Sequence, residues 1–472
     1  MWFHSSILDS NRMNNINDRV IFSKTARTVA LFALLAALPY TIPALSRYRI
    51  VHLPAVPDLF KPQTGEANSS VSEEPQTIDR ADAIDVKPVR MPGEIEDATG
   101  HALDNFFAAL LRTEMEGGQT RISHYGDSPI TNDGITSTVR RKLQLKFGDG
   151  GHGFILAAKP WPWYEHAGVA TEAGSGWATD PMFISRGDHL YGLGGATAKT
   201  DAAGASASFA TVSQSEVGSA VSSFEIYYLS QPGGGDFDIE IDGAGYGRVA
   251  TSSDQIDSGF RRVEVDEGAH RLTIRTAGNG EVRLFGVALE TNRRGVQYDS
   301  LGVNGAFIGL LAHYIDEQHW AEQLRHRRPD LVIIGYGANE SQFERLPMDQ
   351  YERDTKEVIR RIRQALPDAS IMFVGPMDRG MRGPGGGIIT RPMIPRLIAY
   401  QRRIAGETGC AFFDTYSAMG GAGTVARWHE SKPKLMGGDL THPTAQGAEI
   451  VGTLIYDAII KAYEEYKDKR SL

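Results

Sequence analysis

Arg121-Ile-Ser-His-Tyr-Gly126-Asp127-Ser128 reads as a short strand that ends in a glycine turn. Ile135, Val139 and Leu143 follow on one helical face, with Asn132 or Asp133 as the N-cap. A serine is thereby placed between a strand and a helix. The same grammar returns after residue 290. Leu331-Val-Ile-Ile334 is an unbroken apolar run, as a strand buried on both faces requires. Further strands are expected at 296–301, 371–374 and 411–413. Helices are expected at 313–327, 351–365 and 394–407, with a long one over 443–466. Leu103, Phe106, Phe107, Leu110 and Leu111 add an amphipathic helix ahead of the first strand. Alternation of this kind predicts an α/β domain, a parallel sheet covered on both faces.

Between these halves the texture changes. Phe224-Glu-Ile-Tyr-Tyr-Leu229, Phe237-Asp-Ile-Glu-Ile241, Arg262-Val-Glu-Val265, Arg271-Leu-Thr-Ile-Arg275 and Val282-Arg-Leu-Phe285 alternate with period two between Gly, Asp and Asn turns. Short alternating runs predict an antiparallel β-sandwich or jelly roll. The expected order is a first α/β segment at 97–153, an inserted sandwich at 154–292, and a second α/β segment at 293–472 that completes the interrupted domain. At the amino end, basic residues in 1–27 precede an uncharged apolar run at 28–45, which is just long enough to span a bilayer. A transmembrane signal anchor is expected there, then a Pro-, Glu- and Ser-rich spacer at 46–96. The bulk of the chain is therefore expected outside the cytoplasm, in the periplasm or cell envelope, tethered to the membrane.

Composition narrows the chemistry. A net charge of -9 disfavours a nucleic-acid partner, which needs a basic face. One cysteine in 472 residues excludes a disulfide framework or a cysteine metal site. The histidines show no metal-ligand spacing on a shared element, so neither a metal nor another cofactor is expected.

Four stretches carry chemistry: Gly126-Asp127-Ser128, Gly302 in Leu301-Gly-Val-Asn-Gly-Ala306, Gly337-Ala-Asn339-Glu340, and Asp439-Leu-Thr-His442. Alone, each has a plain structural reading as a turn or a helix cap. Together they have a logic. A serine hydroxyl needs an adjacent base, imidazole suits that role, and a carboxylate fixes the imidazole tautomer. An Asp three residues before a His reaches the second ring nitrogen with little chain to order. A developing oxyanion needs donors, and the N–H groups of Ser128 and Gly302 with the amide of Asn339 are candidates. Ser128, Gly302 and Asn339 each follow a strand, where ligand sites of open α/β sheets lie.

In this order the set resembles the SGNH (GDSL-type) hydrolase superfamily. The resemblance implies a three-layer, flavodoxin-like α/β domain, Ser128 as nucleophile, Asp439 and His442 as its base system, and Gly302 and Asn339 in the oxyanion hole. Pro129 and Glu340 depart from the usual leucine and aspartate. Phe147-Gly-Asp-Gly-Gly-His-Gly-Phe154, Gly286-Val-Ala-Leu-Glu290 and the insertion itself are similar to bacterial peptidoglycan O-acetylesterases, in which a carbohydrate-binding-module-like domain interrupts the hydrolase domain. The activity this implies is release of O-acetyl groups from an envelope polysaccharide. The alternatives are an O-acetyltransferase on the same triad and a glycan-binding protein with a degenerate site. His152, Trp161, Trp163 and Trp177 are weaker candidates for substrate contact, against turn or packing roles. The glycine-rich stretch 378–391 reads as a surface loop or a mobile cover, and Asp127 as a turn stabiliser.

Overall fold

The computed structural model describes residues 93–183, 187–212 and 215–470. Six strands form the central sheet: β1 (Ile95–Glu96), β2 (Gln119–Gly126), β3 (Gly295–Gly302), β4 (Leu331–Gly335), β5 (Ser370–Val374) and β6 (Ala411–Phe413). Their order is β1-β6-β5-β4-β2-β3. β2 to β6 are parallel, and β1, which falls within the expected spacer, pairs antiparallel with β6. Leu331 and Ile333 face one core cluster and Val332 and Ile334 the other, which is why the run carries no polar residue. Helices Asp104–Glu116, Gly134–Phe147 and Ala445–Arg470 cover the first face, and Ile308–His313, Glu317–Arg327, Met348–Ala365 and Met393–Thr408 the second. The chain passes from β2 to β3 on one side, then crosses to β4 on the other. The topological switch point therefore lies between β2 and β4.

Strands between Gly151 and Glu290 form two antiparallel sheets. Phe209, Phe237, Ile239, Leu272 and Ile274 from one meet Phe224, Ile226, Val263, Val282 and Leu284 from the other in a shared apolar core. The strand Gly151–Leu156 already belongs to this sandwich, since it pairs with Val282–Glu290.

A buried ionic node joins the sandwich to the α/β sheet. Arg327 donates to Asp299 of β3 at 2.8 and 2.9 Å and to Glu290 of the sandwich. Asp299 also accepts the Phe154 N–H at 2.8 Å and the Ser123 hydroxyl at 2.7 Å. All three charged side chains are nearly sealed from water. Burial pushes the Glu290 carboxyl up, but the guanidinium groups of Arg327, Arg121 and Arg262 outweigh it and hold the group at about 2.

The expected fold requires one correction. It included a membrane-spanning helix, but among the described residues no helix is long and apolar enough to cross a membrane. The longest, Ala445–Arg470, carries Glu449, Asp457, Lys461, Glu464 and Lys467 along its length. Residues 28–45 lie outside the described residues, as do 1–27 and most of the expected spacer.

Arg327→Met is expected to lower the unfolding free energy by about 3–5 kcal/mol, because it strands two buried carboxylates. Urea denaturation at neutral pH measures this. The Glu290 group is held below its ordinary 4.5, so its contribution is complete above that pH and is lost as pH falls toward about 2. The gap between wild type and variant should narrow over that acid window.

Candidate active site

β2 delivers Gly126 and Asp127 to the carboxyl edge of the sheet, and Ser128 opens the short helix Ser128–Thr131. Pro129 suits the first helical turn, where its missing N–H costs nothing. Gly126 has to be glycine: a Cβ there would lie 2.6 Å from the Ile130 side chain and 2.9 Å from the Gly335 carbonyl. Gly302, at the end of β3 beside Gly126, is required for the same reason. Its Cβ would lie 2.7 Å from the Thr131 nitrogen. The helix that carries Ser128 is thus pressed against bare backbone on both neighbouring strands.

His442 Nε2 lies 2.7 Å from Ser128 Oγ, and His442 Nδ1 lies 2.5 Å from Asp439 Oδ2. The second Asp439 oxygen accepts the N–H groups of Thr441 and His442 at 3.0 and 3.1 Å. Partial burial pushes the Asp439 carboxyl up, and these three hydrogen bonds bring it below the usual carboxylate range. An ionised Asp439 selects the tautomer with the proton on Nδ1, which leaves Nε2 to accept the serine proton. The loop that achieves this is tight. Leu440 sits at φ +59°, a left-handed conformation that costs a branched residue about 1–3 kcal/mol. Gly437 N donates to His442 O at 2.8 Å and Gly380 N to Leu440 O at 2.8 Å, which holds the reversal closed.

Asn339 reaches the same edge from the loop after β4. Its Nδ2 donates to Ala306 O at 2.9 Å, and its Oδ1 accepts from Gln342 at 3.0 Å. Asp127 ties this loop to the serine. Its carboxylate accepts the Ala338 N–H at 2.8 Å and is further stabilised by the N–H groups of Asn339 and Gly337. Burial raises its pKa to about 6 in spite of these donors. Arg379, in the loop after β5, donates to Ala338 O, to Ser341 Oγ at 3.4 Å and through Nε to Thr441 Oγ1 at 2.9 Å. It links the Asn339 loop to the Asp439–His442 loop.

The remaining sequence candidates fall elsewhere. His152 and Trp161 are buried, so neither offers a face to substrate. His152 Nε2 is engaged by Gly218 O at 2.8 Å and its ring packs on His166, while Trp161 packs edge-on against Tyr164. Trp163 is exposed, and Trp177 packs against the sandwich core with its N–H on Ser206 O. The stretch 378–391 is an antiparallel hairpin, Gly380–Arg382 with Ile388–Thr390, that packs behind Leu440. Arg379 is the residue that sequence reasoning missed. The available signal was an arginine a few positions beyond the strand end at Val374, where site loops gather. Among the described residues, no group of three or more His, Cys, Asp or Glu is placed to hold a metal.

A sequence profile described as the GDSL-like lipase/acylhydrolase family matches residues 267–450. No curated protein sequence matches the chain. Among solved structures, a peptidoglycan O-acetylesterase is similar at TM-score 0.66 and 22% identity, over 79% of this chain and 99% of its own. A family two carbohydrate esterase from Clostridium thermocellum, in complex with cellohexaose, gives TM-score 0.28 at 13% identity over 62% and 100%, too low a likeness to argue from. The profile match, the likeness of fold and the ordered Ser, Gly, Asn and His positions together support an esterase of the SGNH hydrolase superfamily.

Proposed function

We propose that the chain removes O-acetyl groups from a cell-envelope polysaccharide, with peptidoglycan the first choice, and that it works outside the cytoplasm. The observation that carries this reading is the unbroken relay from Ser128 Oγ to His442 to Asp439, at 2.7 and 2.5 Å. The likeness of fold to a peptidoglycan O-acetylesterase, over 79% of this chain, supports the choice of polymer.

Ser128 Oγ attacks the acetyl carbonyl carbon as its proton passes to His442 Nε2. The resulting oxyanion takes hydrogen bonds from the N–H groups of Ser128 and Gly302 and from the Asn339 amide, whose second hydrogen is not used by Ala306. The tetrahedral intermediate collapses, the sugar oxygen leaves with the proton from His442, and Ser128 keeps the acetyl group. Water, deprotonated by the same imidazole, attacks the acyl carbon; the Ser128 Oγ–acyl bond breaks, acetate leaves and the imidazolium returns its proton to Ser128 Oγ. Asp439 stays ionised throughout and balances the imidazolium.

Protein comprising residues 93–472 should release acetate from O-acetylated peptidoglycan. Ser128→Ala should lower kcat by at least about 10³-fold, and Asp439→Asn by about 10²–10⁴-fold. Acetate assay and labelling of Ser128 by a fluorophosphonate check both. Unchanged turnover in Ser128→Ala would sink the assignment, and acetyl passing to added glycan faster than to water would make the chain a transferase.

In this reading Arg379 is a positioning residue, holding the Ala338 and Thr441 segments together while its charge lowers the Asp127 pKa. Arg379→Ala should cost about 10–100-fold in kcat with little change in KM, because it frees two loops that must agree to within about 1 Å. Steady-state kinetics, with melting temperature as the control for folding, read this out.

A further inference from the structure

Asn339 is clamped between Ala306 and Gln342, and the next residue on each segment is a phenylalanine. Phe307 and Phe343 lie with ring centroids 5.8 Å apart and planes at 42°, and Phe343 is 49% exposed. They head a surface groove of about 280 Å³. Its far side is polar. Gln350 donates to Asp354 Oδ1 at 2.5 Å, and His313 Nε2 meets the same oxygen at 2.7 Å. Bare backbone at Gly309 keeps this side open, since a Cβ would come within 3.0 Å of Asp354 Oδ2. Glu340 lies in the groove at 2% exposure. Its Oε1 accepts the Ile308 N–H at 2.9 Å, and its Oε2 has no hydrogen-bond partner among the described residues. Burial, then the charge of Asp127, raises this carboxyl to about 8, so at neutral pH it is an acid with a proton to donate.

We infer that this groove is a subsite for one pyranose ring of the acetylated polysaccharide, seated on Phe343 and Phe307 and hydrogen-bonded by Gln350, Asp354 and the buried acid Glu340. A pyranose has apolar C–H faces and a polar rim, which matches an aromatic platform beside polar side chains. Position supports the assignment, because Phe307, Glu340 and Phe343, which line the groove, each adjoin in sequence a residue of the Asn339 clamp, and Asn339 is where the proposed chemistry places the ester carbonyl. Leu346, Pro347 and Tyr351 also line the groove and would give an alkyl acyl chain apolar contact, but such a chain leaves the polar groups unmet. It has nothing to offer the unpaired Glu340 oxygen or the Gln350–Asp354 pair, and the groove is open at the surface. The identity of the polymer rests on the esterase reading. The stacking of a sugar ring does not.

The test compares wild type, Phe343→Ala and Phe343→Trp, all at an exposed position. The readout is the ratio of kcat/KM on O-acetylated peptidoglycan fragments to kcat/KM on p-nitrophenyl acetate. The ratio should fall about tenfold in Phe343→Ala and recover in Phe343→Trp. In parallel, de-O-acetylated muropeptide is titrated by NMR against Ser128→Ala with and without Phe343→Ala, and the second change should weaken binding about tenfold. An unaltered ratio together with unaltered binding overturns the subsite and leaves the esterase reading intact. Binding that depends on Phe343, in a protein that releases no acetate, upholds the subsite and overturns the proposed activity.

Discussion

Asp127 is 2% exposed and accepts the Ala338 N–H at 2.8 Å, so a carboxylate next to the nucleophile is bonded to the loop that carries Asn339. The serine follows β2 and the asparagine follows β4, on opposite sides of the switch point. Nothing in sheet hydrogen bonding fixes how those two loops meet beyond the strand ends. A buried carboxylate is costly unless donors surround it, and here the donors are the peptide groups of the loop to be positioned. The same charge acts on Glu340. Two buried carboxyls share this region, and they do not ionise together: burial and the like charge push Glu340 to about 8, while backbone donors and Arg379 keep Asp127 at about 6. One is thereby an acceptor and the other a donor at neutral pH.

The inserted sandwich leaves this arrangement intact because its two ends lie side by side. Val296 N donates to Gly148 O at 3.0 Å, Thr291 N to Gly150 O at 3.1 Å, and Gln144 Nε2 bonds both Gly151 O and Val296 O. From the viewpoint of the α/β sheet, the chain leaves and returns at one place, as tolerated insertions do. The Arg327 node then fixes the orientation of the insert. It joins helix Glu317–Arg327, β3 and a sandwich strand through charges that have no alternative partner in water.

Local pattern carried much of this into the sequence. Apolar runs such as 331–334 are legible because a doubly buried strand admits nothing else. The four chemical stretches are legible because glycine, serine, asparagine and histidine sit at strand ends in a set order. What was not legible depends on contacts between distant loops. Arg379 bonds Ala338 and Thr441, which lie 41 and 62 positions away, and no periodicity reports that. Glycines in 378–391 suggested mobility, yet Gly380 packs closely, since a Cβ there would lie 3.1–3.2 Å from Leu440, Val425 and Ile388. His152 and Trp161 carry polar and aromatic groups that suggest substrate contact, but their neighbours bury them. The apolar run at 28–45 falls outside the described residues, and no described helix has membrane-spanning character.

The exposure of the three triad members is unequal. Ser128 is 8% exposed, whereas the side chains of His442 and Asp439 are 41% and 52% exposed. Attraction between an imidazolium and a carboxylate that open to water is screened, so it contributes little to holding the loop in place. The work of placement falls instead on the backbone. Two amide N–H groups fix Asp439, Gly437 fixes the His442 carbonyl, and the hairpin behind them fixes Leu440 in a conformation it would leave if free. Strain at Leu440 is therefore offset by these peptide contacts: an imidazole–carboxylate pair at the solvent edge has to be aligned by peptide geometry because electrostatics there is too weak to align it.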